Sequence, residues 1–168
     1  EKYQVLKEYP LEWHMIGHLQ RNKVKYIIDK VALIHSVDSI ALAEEINRRA
    51  LQAGRRIDVL LQINVSGEES KYGMSQGAVQ GFLERAKEMQ NIHIRGLMTI
   101  APYTHDPEEV RPVFARLKDI FEEIKTAAIP GVDMDFLSMG MTGDYTVAIE
   151  EGANIVRIGT GIFGSRGQ

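Results

Sequence analysis

Alternation constrains this chain more than any other feature. Short apolar runs and segments of helical period follow one another along all 168 residues, a length typical of one domain. Leu11 to Ile16, Ala32 to His35, Ile57 to Val65, Ile92 to Ile100, Met134 to Ser138 and Ile155 to Ile158 read as strands. Between them, Asn22 to Lys30 reads as a basic helix, and Ile40, Ala43, Ile46 and Ala50 mark a second one that Gly54 caps. Val79, Phe82, Leu83, Ala86 and Met89 share the face of a third helix, after a polar loop from Ser66 to Gly73. Asp106 and Glu109 resemble a capping box opening a long helix with Phe114, Leu117, Ile120, Phe121 and Ile124 on its apolar face; Pro112 suits a start there better than an interior. Tyr145 to Glu151 is a short helix ended by Gly152. Six βα-type repeats with short connections predict an α/β fold with a parallel sheet, either an open doubly wound sheet or a (β/α) barrel. Both bind ligands at the carboxyl ends of their strands.

Composition removes several function classes. Lys and Arg total 20 against 23 Asp and Glu, so nothing marks the chain as a nucleic-acid binder. Cysteine is absent, which excludes disulfides, thiolate nucleophiles and cysteine-ligated metals. No run of apolar residues is long enough to span a membrane, no signal peptide is visible, and a cytoplasmic location is expected. No H-E-x-x-H or G-x-S-x-G pattern occurs, so a catalytic metal or a nucleophile elbow is not expected.

The strand ends carry the chemistry. Gly159 to Gly164 fits G-x-G-x-x-G after a strand, but only four residues follow, which leaves no room for the helix, strand and acidic residue of a dinucleotide site. Gly159-Thr160-Gly161 is either a phosphate cradle of bare amides and a hydroxyl or a tight turn without a ligand. Arg157 is costly to bury in an apolar strand without a partner, and either pairs with Glu150 or Glu151 or contacts a ligand beside the cradle. Ser138 to Gly143 leaves the preceding strand and enters a helix, a second end suited to an anion. His14 and His18 flank Gly17 and are expected to face different ways rather than share a metal. His93 reads as a strand residue, His105 as a loop residue, and Lys71 as a solvated loop lysine more than a ligand contact.

The run Trp13-His14-Met15-Ile16-Gly17-His18-Leu19-Gln20-Arg21-Asn22-Lys23 resembles a signature of the YggS/PROSC family of pyridoxal-phosphate-binding proteins. So do Ile63-Asn64-Val65 with Ser70-Lys71-Tyr72-Gly73, Arg95 through Ile100, Leu137 through Met141, and Val156 through Gly164, in the family's order and over essentially the whole chain. The resemblance implies a (β/α)8 TIM-type barrel of the alanine racemase N-terminal type, here about six of the eight βα units, in a single domain over residues 1–168. It implies pyridoxal 5′-phosphate (PLP) at the strand ends and a role in PLP homeostasis, with no firm catalytic activity. Carried across, Ser138, Gly159 and Thr160 hold the phosphate and Arg157 faces the pyridine nitrogen, while His14, Asn64 and Met98 end strands that line the pocket. A fixed cation at that nitrogen disfavours its protonation and weakens the ring as an electron sink, which suits a carrier or a racemase. PLP-dependent apoenzymes are the implied partners.

The sequence departs from the family at its start. The family's Schiff-base lysine and the Gly-Glu-Asn motif of its second strand are missing, none of the nine lysines closes a strand, and the chain opens on Glu1. The expectation is a fragment lacking two βα units, or a chain completed by its missing segment or by another chain. The alternatives are a phosphate- or protein-binding module without PLP, and a racemase-like enzyme.

Overall fold

The computed structural model describes residues 2–68 and 72–164; Lys71 and Ser70 lie outside the described residues. In chain order come α1 (Lys2–Leu6), β1 (His14–Met15), a 3-10 turn (Arg21–Tyr26), β2 (Leu33–Val37), α2 (Ile40–Gln52), β3 (Ile57–Gln62) and α3 (Val79–Ala86). β4 (Ile92–Met98), α4 (Arg111–Ala127), β5 (Val132–Met141), α5 (Tyr145–Glu150), β6 (Ile155–Arg157) and α6 (Thr160–Phe163) follow. The strands form one six-stranded sheet in the order β1-β2-β3-β4-β5-β6, every neighbouring pair parallel. A doubly wound sheet reverses its strand order and carries helices on both faces. Here the order runs one way, and the large core joins the helices to a single face of the strands: Ile46, Phe82, Phe114 and Leu117 pack with Ile34, Val59, Ile94 and Leu137. The result is a curled half-barrel with its helices outside.

Local chemistry explains most boundaries. Gly54 follows α2 at φ +63° and Arg55 N returns to Ala50 O at 3.0 Å, the left-handed stop that glycine supplies. The basic segment after β1 holds only a 3-10 turn over Arg21–Tyr26, because Ile27 at φ −121° has already left helical space. The capping box is half formed: Asp106 accepts from Glu108 N at 3.0 Å, but Glu109 turns to the hydroxyl of Thr104. That segment opens as a 3-10 turn, Pro107–Val110, and α4 begins at Arg111 with Pro112 in its first turn, where a missing N–H costs nothing.

The inner face of the sheet is stacked in layers, as in a barrel interior. Toward the amino ends, Arg95 donates to Asp135 at 2.7 Å and to Asp58 at 2.9 Å, and His93 meets Asp133 at 2.6 Å. Above this lies an apolar layer of Leu33, Leu60 and Met98 with Phe136 and Ile155. A polar layer of His14, His35, Ser138 and Arg157 closes the carboxyl ends.

Side chains three apart on a regular strand face opposite ways, yet Ile94 and Leu97 both enter the helix-side core, as do Met134 and Leu137. An extra residue in each strand corrects the phase, and the β4–β5 register shifts between Ile94 and Gly96. Gly96 sits there at φ +150°, and a Cβ on it would lie 1.8 Å from the carbonyl oxygen of Phe136. Gly81, in the exposed interior of α3, has nothing within 4 Å of a Cβ. Gly96→Ala is expected to destabilise the fold by more than about 1 kcal/mol, and Gly81→Ala to stabilise it by about 0.5–1 kcal/mol. Urea unfolding midpoints of the two variants and the parent check both signs.

Candidate functional site

The carboxyl ends of β1, β5 and β6 enclose a cleft of about 830 Å³ whose lining includes His14, Ile100, Thr142, Arg157, Gly159 and Thr160. Its shape follows from local backbone choices. Gly140, at φ +90°, lets α5 approach β5 closely; a Cβ there would sit 2.6 Å from that of Ala148. Asp144 accepts from Met141 N and tightens the turn that carries Thr142. Across the cleft, β6 ends at Arg157 and α6 begins at Thr160. Thr142 Oγ1 accepts from Gly161 N at 3.2 Å and lies 3.2 Å from Thr160 Oγ1, so the two strand ends are tied together. A Cβ on Gly161 would lie 3.1 Å from the Thr142 methyl, whereas one on Gly159 would meet no atom within 4 Å. Bare backbone at Gly159 therefore faces open space in the cleft.

Arg157 forms the floor. Its Nη1 donates to Ser138 Oγ and its Nη2 to the carbonyl of Thr99, both at 2.8 Å. No ion pair forms with Glu150 or Glu151, which instead hold Arg111 at 2.5 and 2.6 Å. Burial lowers the Arg157 pKa to about 10 against a smaller opposing pull from Asp144, so the group stays cationic at pH 7. A guanidinium carries five N–H donors, and two are spent on these acceptors.

Beside it runs a chain of polar side chains. Ser138 Oγ is 2.9 Å from His35 Nδ1, His35 Nε2 is 3.1 Å from His14 Nδ1, and His14 Nε2 is 3.0 Å from Glu12 Oε1. His18 faces elsewhere, stacked on Tyr72 with centroids 3.9 Å apart and 3.6 Å from Asp38, so the two histidines do not converge. Among the described residues no group of His, Asp or Glu side chains forms a metal site, and no helix is long and apolar enough to cross a membrane.

Of the residues singled out in the sequence, His14, Arg157, Gly159 and Thr160 line the cleft. Ser138 is fully buried beneath it, its hydroxyl engaged by His35 and Arg157. Met98 is fully buried in the apolar layer. The Asn64 amide is spent on its own loop, donating to Glu68 O at 2.9 Å and accepting from Gly67 N at 3.0 Å. His35, which the sequence reading did not select, and Thr142, which it took in only as part of the Ser138 to Gly143 strand end, belong to the arrangement. A histidine closing an apolar strand, and a hydroxyl just beyond a strand end, were the available signals.

His35 is 1% exposed. Burial lowers its pKa to about 3, with help from His14 and Arg157. A histidine held neutral in the fold but free to protonate when unfolded withdraws stability as pH falls from about 6.5 toward 3. The urea midpoint is expected to fall more steeply across that window for the parent than for His35→Asn, by up to one proton's slope, about 1.4 kcal/mol per pH unit.

Residues 6–167 match the family described as alanine racemase, N-terminal domain. A pyridoxal phosphate homeostasis protein of Aquifex aeolicus is 49% identical over 166 residues, covering 99% of this chain and 72% of that protein. One of Helicobacter pylori is 39% identical over 164 residues, covering 96% and 71%. The structure of PipY from Synechococcus elongatus with PLP bound superposes with a TM-score of 0.86 at 35% identity, covering 97% of this chain and 76% of that one. A solved protein from Bifidobacterium adolescentis superposes at 0.85 with 43% identity, and there the chain spans only 60% of its relative. With the ordered parallel half-barrel and its strand-end cleft in place, the chain belongs to the alanine racemase N-terminal domain family, on the branch of the pyridoxal phosphate homeostasis proteins.

Proposed function

We propose that this chain binds pyridoxal 5′-phosphate at the carboxyl ends of β5 and β6 and takes part in PLP homeostasis as a carrier, delivering the cofactor to PLP-dependent apoenzymes without turning over a substrate of its own. The observation that carries this reading is the pairing of a fixed cation, Arg157, with an adjoining cradle of hydroxyls and bare backbone at Thr142, Gly159 and Thr160. Its relatives support it: two bear the name of PLP homeostasis proteins, and PipY has a structure with PLP bound.

The residues fit the group. A phosphate dianion is met by donors: the Thr142 and Thr160 hydroxyls, 3.2 Å apart at the two strand ends. Gly159 leaves the space that a side chain would fill. Arg157, tied at both terminal nitrogens, can present its remaining donors to the pyridine nitrogen as acceptor. Bound PLP supplies an electrophilic carbonyl on a ring able to accept electron density. The Arg157 charge opposes protonation of the ring nitrogen, and so restrains that capacity. None of the lysines among the described residues lines the cleft, so the hold exerted by these residues is noncovalent. Ser138 serves this site from below rather than at its surface. A cytoplasmic setting, where PLP enzymes are made, accords with the absence of cysteine.

Equilibrium dialysis with PLP tests the reading. Binding is expected to be competed by inorganic phosphate and to be much weaker for pyridoxal, which lacks the phosphate. Arg157→Ala should weaken PLP about 10- to 100-fold, the loss of a charged hydrogen bond, and Thr142→Ala about fivefold. Gly159→Val should block binding while leaving the melting temperature within about a degree or two, because its side chain meets only the cleft. Equal affinity for PLP and pyridoxal, indifferent to these variants, would refute the site. Incubation with PLP and L-alanine, followed by chiral chromatography, should give no D-alanine beyond that formed by PLP alone; faster racemisation would reinstate the enzyme alternative.

A further inference from the structure

The polar chain under the cleft has a direction, and chemistry sets it at both ends. The Glu12 carboxylate can only accept, so His14 Nε2, 3.0 Å away, carries a proton. In a neutral imidazole Nδ1 is then the acceptor, and His35 Nε2, 3.1 Å from it, is the donor. His35 Nδ1 is left to accept, and it takes the proton of the Ser138 hydroxyl at 2.9 Å. Ser138 therefore turns its lone pairs to Arg157 Nη1 at 2.8 Å, and a guanidinium can only donate. From Arg157 to Glu12 every donor meets an acceptor. The opposite His35 tautomer would put an N–H against Ser138, which would then face donors from two sides and have to send its own proton elsewhere. The buried position of His35 keeps it neutral, as the sequence of bonds requires.

We propose that His35 is a positioning residue for Arg157, acting through Ser138, with Glu12 fixing the tautomers along the chain. The hydrogen bonds of His35 go to Ser138 and His14, not to the guanidinium or to the hydroxyls of the cradle. Its work is to orient the Ser138 hydroxyl so that one terminal nitrogen of Arg157 is held, while the Thr99 carbonyl holds the other. The proposal rests on the PLP reading only for its affinity measurement; its main readouts come from the chain without ligand.

The first experiment is a two-bond 1H–15N correlation spectrum of the labelled, ligand-free chain, which distinguishes imidazole tautomers. Expected are a neutral, Nε2-protonated His35 and a proton on His14 Nε2, with a sharp, slowly exchanging Arg157 guanidinium signal. Glu12→Ala should mix the tautomers of His14 and broaden those of His35. An Nδ1-protonated His35 in the parent overturns the proposal outright, whatever the variants do. The second experiment compares His35→Asn, whose Oδ1 falls near the Nδ1 position and can accept from Ser138, with His35→Leu, which cannot. His35→Leu should broaden the Arg157 signal and weaken PLP at least tenfold, and His35→Asn should recover most of both. Equal behaviour of the two variants, with an Arg157 signal like the parent's, sinks the proposal. If no variant and no parent binds PLP, the cofactor reading fails alone, and the imidazole and guanidinium signals still decide the positioning role.

Discussion

A line of hydrogen bonds across the strand ends is the interaction on which the rest of this structure turns. It touches all six strands or the residue just beyond them. His14 belongs to β1 and His35 to β2; Ile63, after β3, accepts from the Thr99 hydroxyl at 2.8 Å; Thr99 follows β4; Ser138 and Arg157 complete it on β5 and β6. A parallel sheet of sequential strands has ladder bonds only between neighbours. These side-chain bonds cross the sheet at the level where the cleft opens, and they let a desolvated guanidinium stay charged there. Polar groups this deep are tolerable only when they have hydrogen-bond partners, and every side chain in this line has at least one.

The layers below make that line possible. The apolar tier of Leu33, Leu60 and Met98 keeps the guanidinium of Arg157 apart from that of Arg95, whose charge is absorbed by Asp58 and Asp135 near the amino ends. The bulges in β4 and β5 allow one strand to serve both tiers. Without the extra residue at Gly96, the helix-side face of Ile92 and Ile94 would continue onto Met98, and Leu97 would point at the cleft. The helix-side core and the cleft-side tiers are thus phased separately within the same strands.

Much of the architecture could be read from the sequence, because periodicity is a local signal. The apolar face of α4 was visible in Phe114, Leu117, Ile120, Phe121 and Ile124, all of them buried. The stops at Gly54 and Gly152 were visible as well, since both residues adopt positive φ. Curling of the sheet was not, for strand order and helix placement are long-range properties; only the family resemblance chose the barrel. At the cleft, the positions of residues marked by backbone or charge were readable: Gly159, Thr160 and Arg157, a cation in an apolar strand, all line it. The burial of Ser138 was not readable, because a strand end tells position but not depth. Its register against Ile155 buries it one level down. His35 escaped notice for the opposite reason, since its partner Ser138 lies 103 residues away in sequence.

β1 is two residues long and, among the described residues, lies at the edge of the sheet, paired only with β2 through His14↔Leu33 and Met15↔Ile34. So short an edge strand has few ladder bonds to hold it, and its opening should be cheap next to that of β3 or β4. Yet the imidazole it contributes is one link from His35 and two from Ser138. Thermodynamic reciprocity then applies: whatever stabilises the far end of the line must also discourage fraying at this one, to the same degree. The edge strand becomes a reporter, and amide exchange at Trp13 to Met15 registers whether the opposite side of the cleft is occupied without any probe placed there.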